Sequence, residues 1–455
     1  MEAGLFRFLR FSLGLEGEVK GLLDGRQGSF DWDACYQFAK RQTLVGVLFD
    51  GIQRLPKELA PARPLLLRWL SDSESIRRRN MRMDRASVYI YNKVCAAGFR
   101  CCILKGQGNA LLYPHPSSRT PGDVDVWVMA NREELRHIAL SLTEGDGSSL
   151  QESLNHIGLT VHGVSVELHS TPALLNSPLY NSRLQKWLKR NADLQCSNRI
   201  ALPNNAGEVA VPTLSFNIIY QLCHLFHHCF YEGVGLRQIV DYYFVLKNTD
   251  ISGNTDRDEV LLNTDYTDFT DRFSGNTDEG CFLLNTDCTD CTDSSSGDFE
   301  GDGCLLNMDC ADFLDSSSGG LGEVDSGGAL VALLEELKWL GLWEFAGAVM
   351  YVLREVMGLD EKRMICAPDD RRGRLLLEEI MAGGNFGHYD ERNHFGQGAL
   401  WHNIQRFRRD WRMLRFYPSE ALSEPLFRVC HFLWRWKQKH AGKPKERNRN
   451  CILTI

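Results

Sequence analysis

No stretch of the 455 residues approaches the ~20 uncharged apolar residues of a membrane-spanning helix, so no such helix is expected. The first residues, MEAGLFRFLRFSLGLEGEV, lack an unbroken apolar run and a small-residue cleavage site. Arg7, Arg10, Glu16 and Glu18 interrupt them, which argues against a secretory leader. The 15 cysteines lack regular spacing, and five of them (Cys281, Cys288, Cys291, Cys304, Cys310) crowd into one segment. That excludes a secreted disulfide framework and favours reduced thiols in a cytoplasmic protein. Cys288-x-x-Cys291 lacks a second pair at zinc spacing. Cys451 stands one place too far from Ile455 for prenylation. The chain also lacks a basic excess, since its formal net charge is −8.

That total is a sum over two unlike objects. Residues 248–328 hold 16 Asp and 4 Glu against 2 Arg, which is −18, and the remainder carries +10. Within the acidic segment, Leu261-Leu-Asn-Thr-Asp265, Leu283-Leu-Asn-Thr-Asp287 and Leu305-Leu-Asn-Met-Asp309 start 22 residues apart. Each is followed by Asp at three-residue steps, a pattern that invites a solenoid or calcium reading. Each unit has few large apolar side chains, so burial cannot offset the entropy of ordering, and a disordered insertion is the expectation.

Residues 1–85 read as helical. Leu5, Phe6, Leu9 and Leu13 recur at helical spacing, and Asp31 or Asp33 would cap a second helix. A third helix starts near Pro64 with Arg77, Arg78, Arg79, Arg82 and Arg85 as a solvated face. From Gly98 the pattern changes. Phe99–Lys105 and Gly122–Met129 read as strands, a helix begins near Asn131, and Leu159–His169 reads as two strands around His162-Gly163. This mixture over residues 86–205 predicts a compact α/β or α+β domain. Residues 206–247 and 329–455 return to helical periodicity.

The stretch that carries chemistry is Leu104-Lys-Gly-Gln-Gly-Asn-Ala-Leu-Leu-Tyr-Pro114, then Arg119-Thr-Pro-Gly-Asp-Val-Asp-Val-Trp-Val128. Residues two apart in a strand share a face. Val124, Val126 and Val128 therefore enter a core, while Asp123 and Asp125 emerge together on the other side. Paired carboxylates repel unless a cation sits between them, and a divalent metal serves well. In the later strand Val164, Val166 and Leu168 face a core, opposite Ser165, Glu167 and His169. If the two strands are neighbours, Glu167 completes a three-carboxylate cluster suited to Mg²⁺ or Mn²⁺ and a nucleoside triphosphate. Lys105-Gly106-Gln107-Gly108 ends a strand and opens a helix, an arrangement that suits phosphate. Lys105 and Arg119 would neutralise its charge. The competing reading is a turn leading into an ordinary edge strand.

The order Leu-Lys-Gly, Tyr-Pro, Arg, Gly-Asp-Val-Asp, then Val-Glu-Leu-His resembles the uncharacterised bacterial nucleotidyltransferase family of the DNA polymerase β-like superfamily. Leu222–His228, Gly235-Leu-Arg-Gln-Ile-Val-Asp241 and Gly383-Gly-Asn-Phe-Gly387 are similar to that family's later motifs. The resemblance covers most of the chain outside 248–328. It implies an α+β fold, with a small mixed-sheet nucleotidyltransferase core between N- and C-terminal helical regions. It implies Asp123, Asp125 and Glu167 as metal-binding catalytic carboxylates, and Gly106 as the nucleotide-loop glycine. NMP would pass from an NTP to an acceptor hydroxyl on a protein, sugar, RNA or small molecule. Gly106-Gln107 departs from the Gly-Ser or Gly-Gly usual in the superfamily, and a catalytically degenerate binding or scaffold protein is the alternative.

Three further features stay open at this level. His224, His227 and His228 share a helix, but the Glu of a zinc-binding HExxH is absent, so packed or cleft-lining histidines are expected. Arg237 and Asp241 read as a helix-surface ion pair. Arg406, Arg408, Arg409, Arg412 and Arg415, with Trp401 and Trp411, make a basic aromatic helix, read as solvated rather than as a polyanion site.

Overall fold

Among the described residues, four α-helices precede the first strand. They are α1 (Glu2–Ser12), α2 (Trp32–Arg41), α3 (Val45–Gln53) and α4 (Arg63–Ala96). The structure is a computed structural model that describes residues 2–18, 30–143, 150–249, 326–390, 392 and 399–441. The acidic repeats at 261–315 and the residues beyond 441 lie outside the described residues.

Of the two candidate caps, Asp31 starts α2, its side chain accepting from the Ala34 amide at 2.9 Å. Pro64 lies in the first turn of α4, where its missing N–H costs nothing. The helix continues without a break past residues 85 and 86. Its buried face carries Trp69, Met83, Ile90 and Val94 but also Asn80 and Asp84. The Asn80 amide donates to the carbonyls of Ser117 and Arg119 at 2.9 and 2.8 Å, and Arg79 donates to the Gly122 carbonyl at 3.0 Å. A long helix thus grips the loop that leads to Asp123. Arg78, Arg79, Arg82 and Arg85 are exposed, as a solvated face requires, whereas Arg77 is half-buried and pairs with Glu74 at 3.0 Å.

The central sheet follows. Its parts are β1 (Cys101–Leu104), the one-turn α5 (Gly106–Ala110), β2 (Val124–Val128), α6 (Arg132–Leu142), β3 (Gln151–Glu152), β4 (His156–Val161) and β5 (Val164–His169). The strand order is β1-β2-β5-β4-β3. β2 and β5 run parallel, which obliges a crossover, and α6 supplies it from a capping box of Asn131 and Glu134. β4 and β5 form the expected hairpin, with positive φ at His162 and Gly163. In register, Leu104 stands opposite Asp125, and Asp125 opposite Glu167.

After α7 (Pro178–Ser197) comes a hairpin that the sequence reading passed over, β6 (Arg199–Leu202) with β7 (Gly207–Ala210). Its signal is Asn204-Asn205, both left-handed at φ 58° and 53°, a conformation in which Asn is enriched. The remaining described helices are α8 (Leu214–Tyr231), α9 (Leu236–Asn248), α10 (Ser326–Trp339), α11 (Trp343–Val352), α12 (Asp370–Gly383), α13 (Ala399–Leu414) and α14 (Pro418–Ala441). Rings from before and after the acidic segment share one core. Phe226 lies 4.7 Å from Phe345 and 5.1 Å from Tyr417, ring centre to ring centre. Full burial of such a side chain stabilises by roughly 1.5–3 kcal/mol. On α13, Phe407 and Trp411 are exposed and Arg412 pairs with Glu379 at 3.3 Å. Among the described residues no helix is long and apolar enough to cross a membrane.

Candidate active site

Strand geometry assembles the site. β2 buries its valines and places Asp125 at the sheet's open side, while Asp123 precedes the strand's first residue. Because β5 is the parallel neighbour in register, Glu167 arrives beside Asp125. Ligand-type oxygens of Asp123, Asp125 and Glu167 all lie within 4.8 Å of one another. His156 from β4 and His169 from β5 adjoin them, and with Glu167 they form a second group of the same compactness.

Two cationic partners converge on Asp125. Lys105 Nζ donates to Oδ2 at 2.9 Å, and His169 Nε2 lies 2.9 Å from Oδ1 and 3.3 Å from Glu167. Burial works against the Asp125 charge, but Lys105 and His169 overcome it and hold the carboxyl well below the usual range. Burial likewise disfavours the His169 imidazolium, yet its hydrogen bonds to Asp125 and Glu167 prevail and raise it to about 9. Asp123 fares differently. The adjacent Asp125 charge, then burial, pushes its carboxyl up to about 6, with Lys105 offsetting only part. Negative charge therefore exceeds the cations that the chain itself supplies. Three converging carboxylates with that imbalance fit a hard divalent cation.

This imbalance has a measurable sign. The folded value of Asp123 lies above its unfolded one, so its ionised form costs stability. The cost is absent below pH 4, grows towards pH 6 and is full above it. Asp123→Asn without metal is expected to be more stable than the wild type at pH 7.5, by about 1–3 kcal/mol. The gain should vanish below pH 4. Urea denaturation at the two pH values checks it, and a variant less stable at pH 7.5 contradicts the charge imbalance.

Lys105, Gly106, Arg119, Asp123 and Asp125 line one cleft, whose lining does not include Glu167. Gln107 does not line it. Its side chain turns into the core and donates to Asp84, a carboxyl that burial pushes up to about 6. Gly108 packs instead against Val211. Lys105, with a left-handed φ of 49°, reaches Asp125 and also stands 3.1 Å from His224 Nε2. His224 is kept neutral by burial and then by Lys105, so it accepts that hydrogen bond. His228 lies 2.8 Å behind it, and His227 stacks on Tyr231 with ring centres 4.2 Å apart.

The far wall corrects one expectation. Arg237 and Asp241 are not a surface pair, because the face of α9 that carries them is buried. Asp241 instead takes two hydrogen bonds of 2.7 Å from Arg119 and one of 2.7 Å from Tyr113. Arg237 turns to the Thr120 carbonyl at 3.2 Å. Arg119 Nη1 and Arg237 Nε are buried without a partner, and both residues line the cleft. Sequence reasoning placed His169 on the face of Glu167 but gave it no task, and it gave none to His156. The alternation of Ser165, Glu167 and His169 was the available signal for His169.

The sequence profile of the uncharacterised nucleotidyltransferase family matches residues 28–263. The chain belongs to this family. That stretch of the nucleotidyltransferase contains every carboxylate of the cluster. The chain also resembles the crystal structure of an antigenic nucleotidyltransferase-like protein from Paracoccidioides brasiliensis. Identity is 16%, the match covers 36% of this chain and 75% of that one, and the TM-score is 0.25. No curated protein matches the chain.

Proposed function

We propose that the protein transfers NMP from an NTP to an acceptor hydroxyl and releases pyrophosphate. The convergence of Asp123, Asp125 and Glu167 within 4.8 Å carries this reading, and Asp123 and Asp125 line a cleft together with Lys105, Arg119 and Arg237. These three carboxylates would hold Mg²⁺ or Mn²⁺, which supplies Lewis acidity to the α-phosphate and to the acceptor oxygen. Lys105, Arg119 and Arg237 balance phosphate charge in a site where low dielectric strengthens each contact. Gly106 borders the cleft and allows close backbone approach. The acceptor proton passes to a carboxylate of the cluster as the oxygen attacks in line. Pairing Asp241 to Arg119 fixes the guanidinium before substrate arrives, so little ordering is left to do on binding.

The departure at Gln107 favours a second reading, a nucleotide-binding or scaffold protein without turnover. The two readings separate in one experiment. The chain is incubated with each α-labelled NTP and Mg²⁺ or Mn²⁺, and its thermal midpoint is followed in parallel. A transferase gives labelled product and a metal-dependent NTP shift. A scaffold gives the shift without label. Neither signal would remove both.

A further inference from the structure

Phosphate chemistry uses the floor of the cleft and its arginine wall. It leaves unexplained an aromatic wall that comes from far downstream in the chain. Phe386, within Gly383-Gly-Asn-Phe-Gly387, lines the same cleft as Asp123 and Asp125. Resting on the transferase reading above, we propose that Phe386 is the stacking platform for the nucleobase of the bound nucleotide. The neighbouring side-chain amides Asn109, Gln221 and Gln238 would meet the base's polar edge.

Three observations support the assignment. The first is backbone strain. Phe386 adopts φ 53° and ψ 28°, a left-handed conformation that bulky residues avoid. Such outliers persist only where surrounding structure enforces them, and they concentrate at ligand clamps.

The second is how that structure is enforced. The loop sits main chain against main chain on the turn between α8 and α9. A Cβ on Gly387 would lie 2.0 Å from the Glu232 carbonyl oxygen, and one on Gly235 would lie 2.9 Å from Asn385 Cα. The loop holds a half-buried phenyl ring in the cleft, with the His228 ring 5.1 Å from it.

The third is the chemistry of the adjoining wall. Gln221 Nε2 donates to Asn109 Oδ1 at 3.0 Å, and Gln238 Oε1 is fixed by the Gly235 amide at 2.8 Å. Rigid amides offer paired donors and acceptors, the groups that a base edge presents. Cations, a ring and amides line the one cleft. A nucleotide has partners for each.

Titration calorimetry on the full chain, with Mg²⁺ present, tests the assignment using each NTP and inorganic tripolyphosphate. Base stacking on an aromatic residue predicts that Phe386→Ala weakens NTP binding roughly 5- to 150-fold. Tripolyphosphate, which has no base, should bind within about twofold of wild type by the same reasoning. Phe386→Leu keeps the apolar volume and should show the same selective loss. Phe386→Trp should keep NTP affinity, and its fluorescence should be quenched by NTP but not by tripolyphosphate. The platform is overturned if Phe386→Leu binds NTP like wild type, or if both ligands weaken together. In those cases wild-type nucleotide binding still stands, and the transferase reading with it. If the wild type binds neither ligand, both readings fall.

Discussion

Asp125→Ala is expected to lower nucleotidyl transfer by roughly 10³-fold or more, the scale on which a preorganised charge-stabilising group acts. The residue has three tasks at once. It belongs to the carboxylate cluster, it holds Lys105 at 2.9 Å, and it holds His169 at 2.9 Å. Its loss therefore removes a metal ligand and releases both cationic neighbours from their positions. Single-turnover transfer of α-label, with circular dichroism as the fold control, measures the effect. A variant that retains a tenth of wild-type transfer would sink the assignment of Asp125 to the reacting centre. Stability should move the opposite way from Asp123→Asn. Asp125 has a depressed folded value, so its charge contributes stability above the usual carboxylate range, and that contribution disappears as pH falls. Two carboxylates two residues apart thus differ in sign. Asp125 has the chain's own cations as partners, whereas Asp123 is left for the ligand.

The second large effect lies on the opposite wall. Asp241→Ala should destabilise the fold by about 3–5 kcal/mol, the cost of breaking a buried ion pair from one side. Arg119 and Asp241 are 2% and 5% exposed, and Arg237 is buried beside them, so the lost carboxylate would strand two guanidinium groups. The paired substitution Arg119→Met with Asp241→Leu removes charge from both sides and should cost less than Asp241→Ala alone. Urea midpoints of the single and double variants decide this. Equal losses would mean that the carboxylate stabilises through Tyr113 or packing rather than through Arg119.

The catalytic face was legible in sequence because a strand repeats every two residues. Asp123 and Asp125 with Val124 and Val126 between them, and Glu167 flanked by Val166 and Leu168, declare their sides locally. The β4–β5 hairpin and the caps at Asp31 and Asn131 were legible for the same reason, since each signal lies within a few residues. What the sequence withheld was partnership over long separations. Arg119 meets Asp241 across more than a hundred residues, so the nearer Arg237 at helical spacing looked like the natural partner. Gln107 stood in a phosphate-loop position, and nothing local shows that Asp84 draws its side chain inward. Phe386 is separated from the carboxylates by the whole acidic segment, and it reaches their cleft through packing of its loop on the turn that contains Glu232.

That last separation bears on biosynthesis. A ribosome that has passed His169 has delivered every carboxylate of the cluster, and one that has passed Asp241 has delivered the arginine wall. The loop bearing Phe386 emerges only after the acidic segment has been made. Domains fold as units, and rings from both sides of the acidic segment share this one's core. The metal-type ligands and the arginine wall of this protein are therefore synthesised before the aromatic side of their cleft, and the cleft is complete only when the segments on both sides of the acidic repeats have been made.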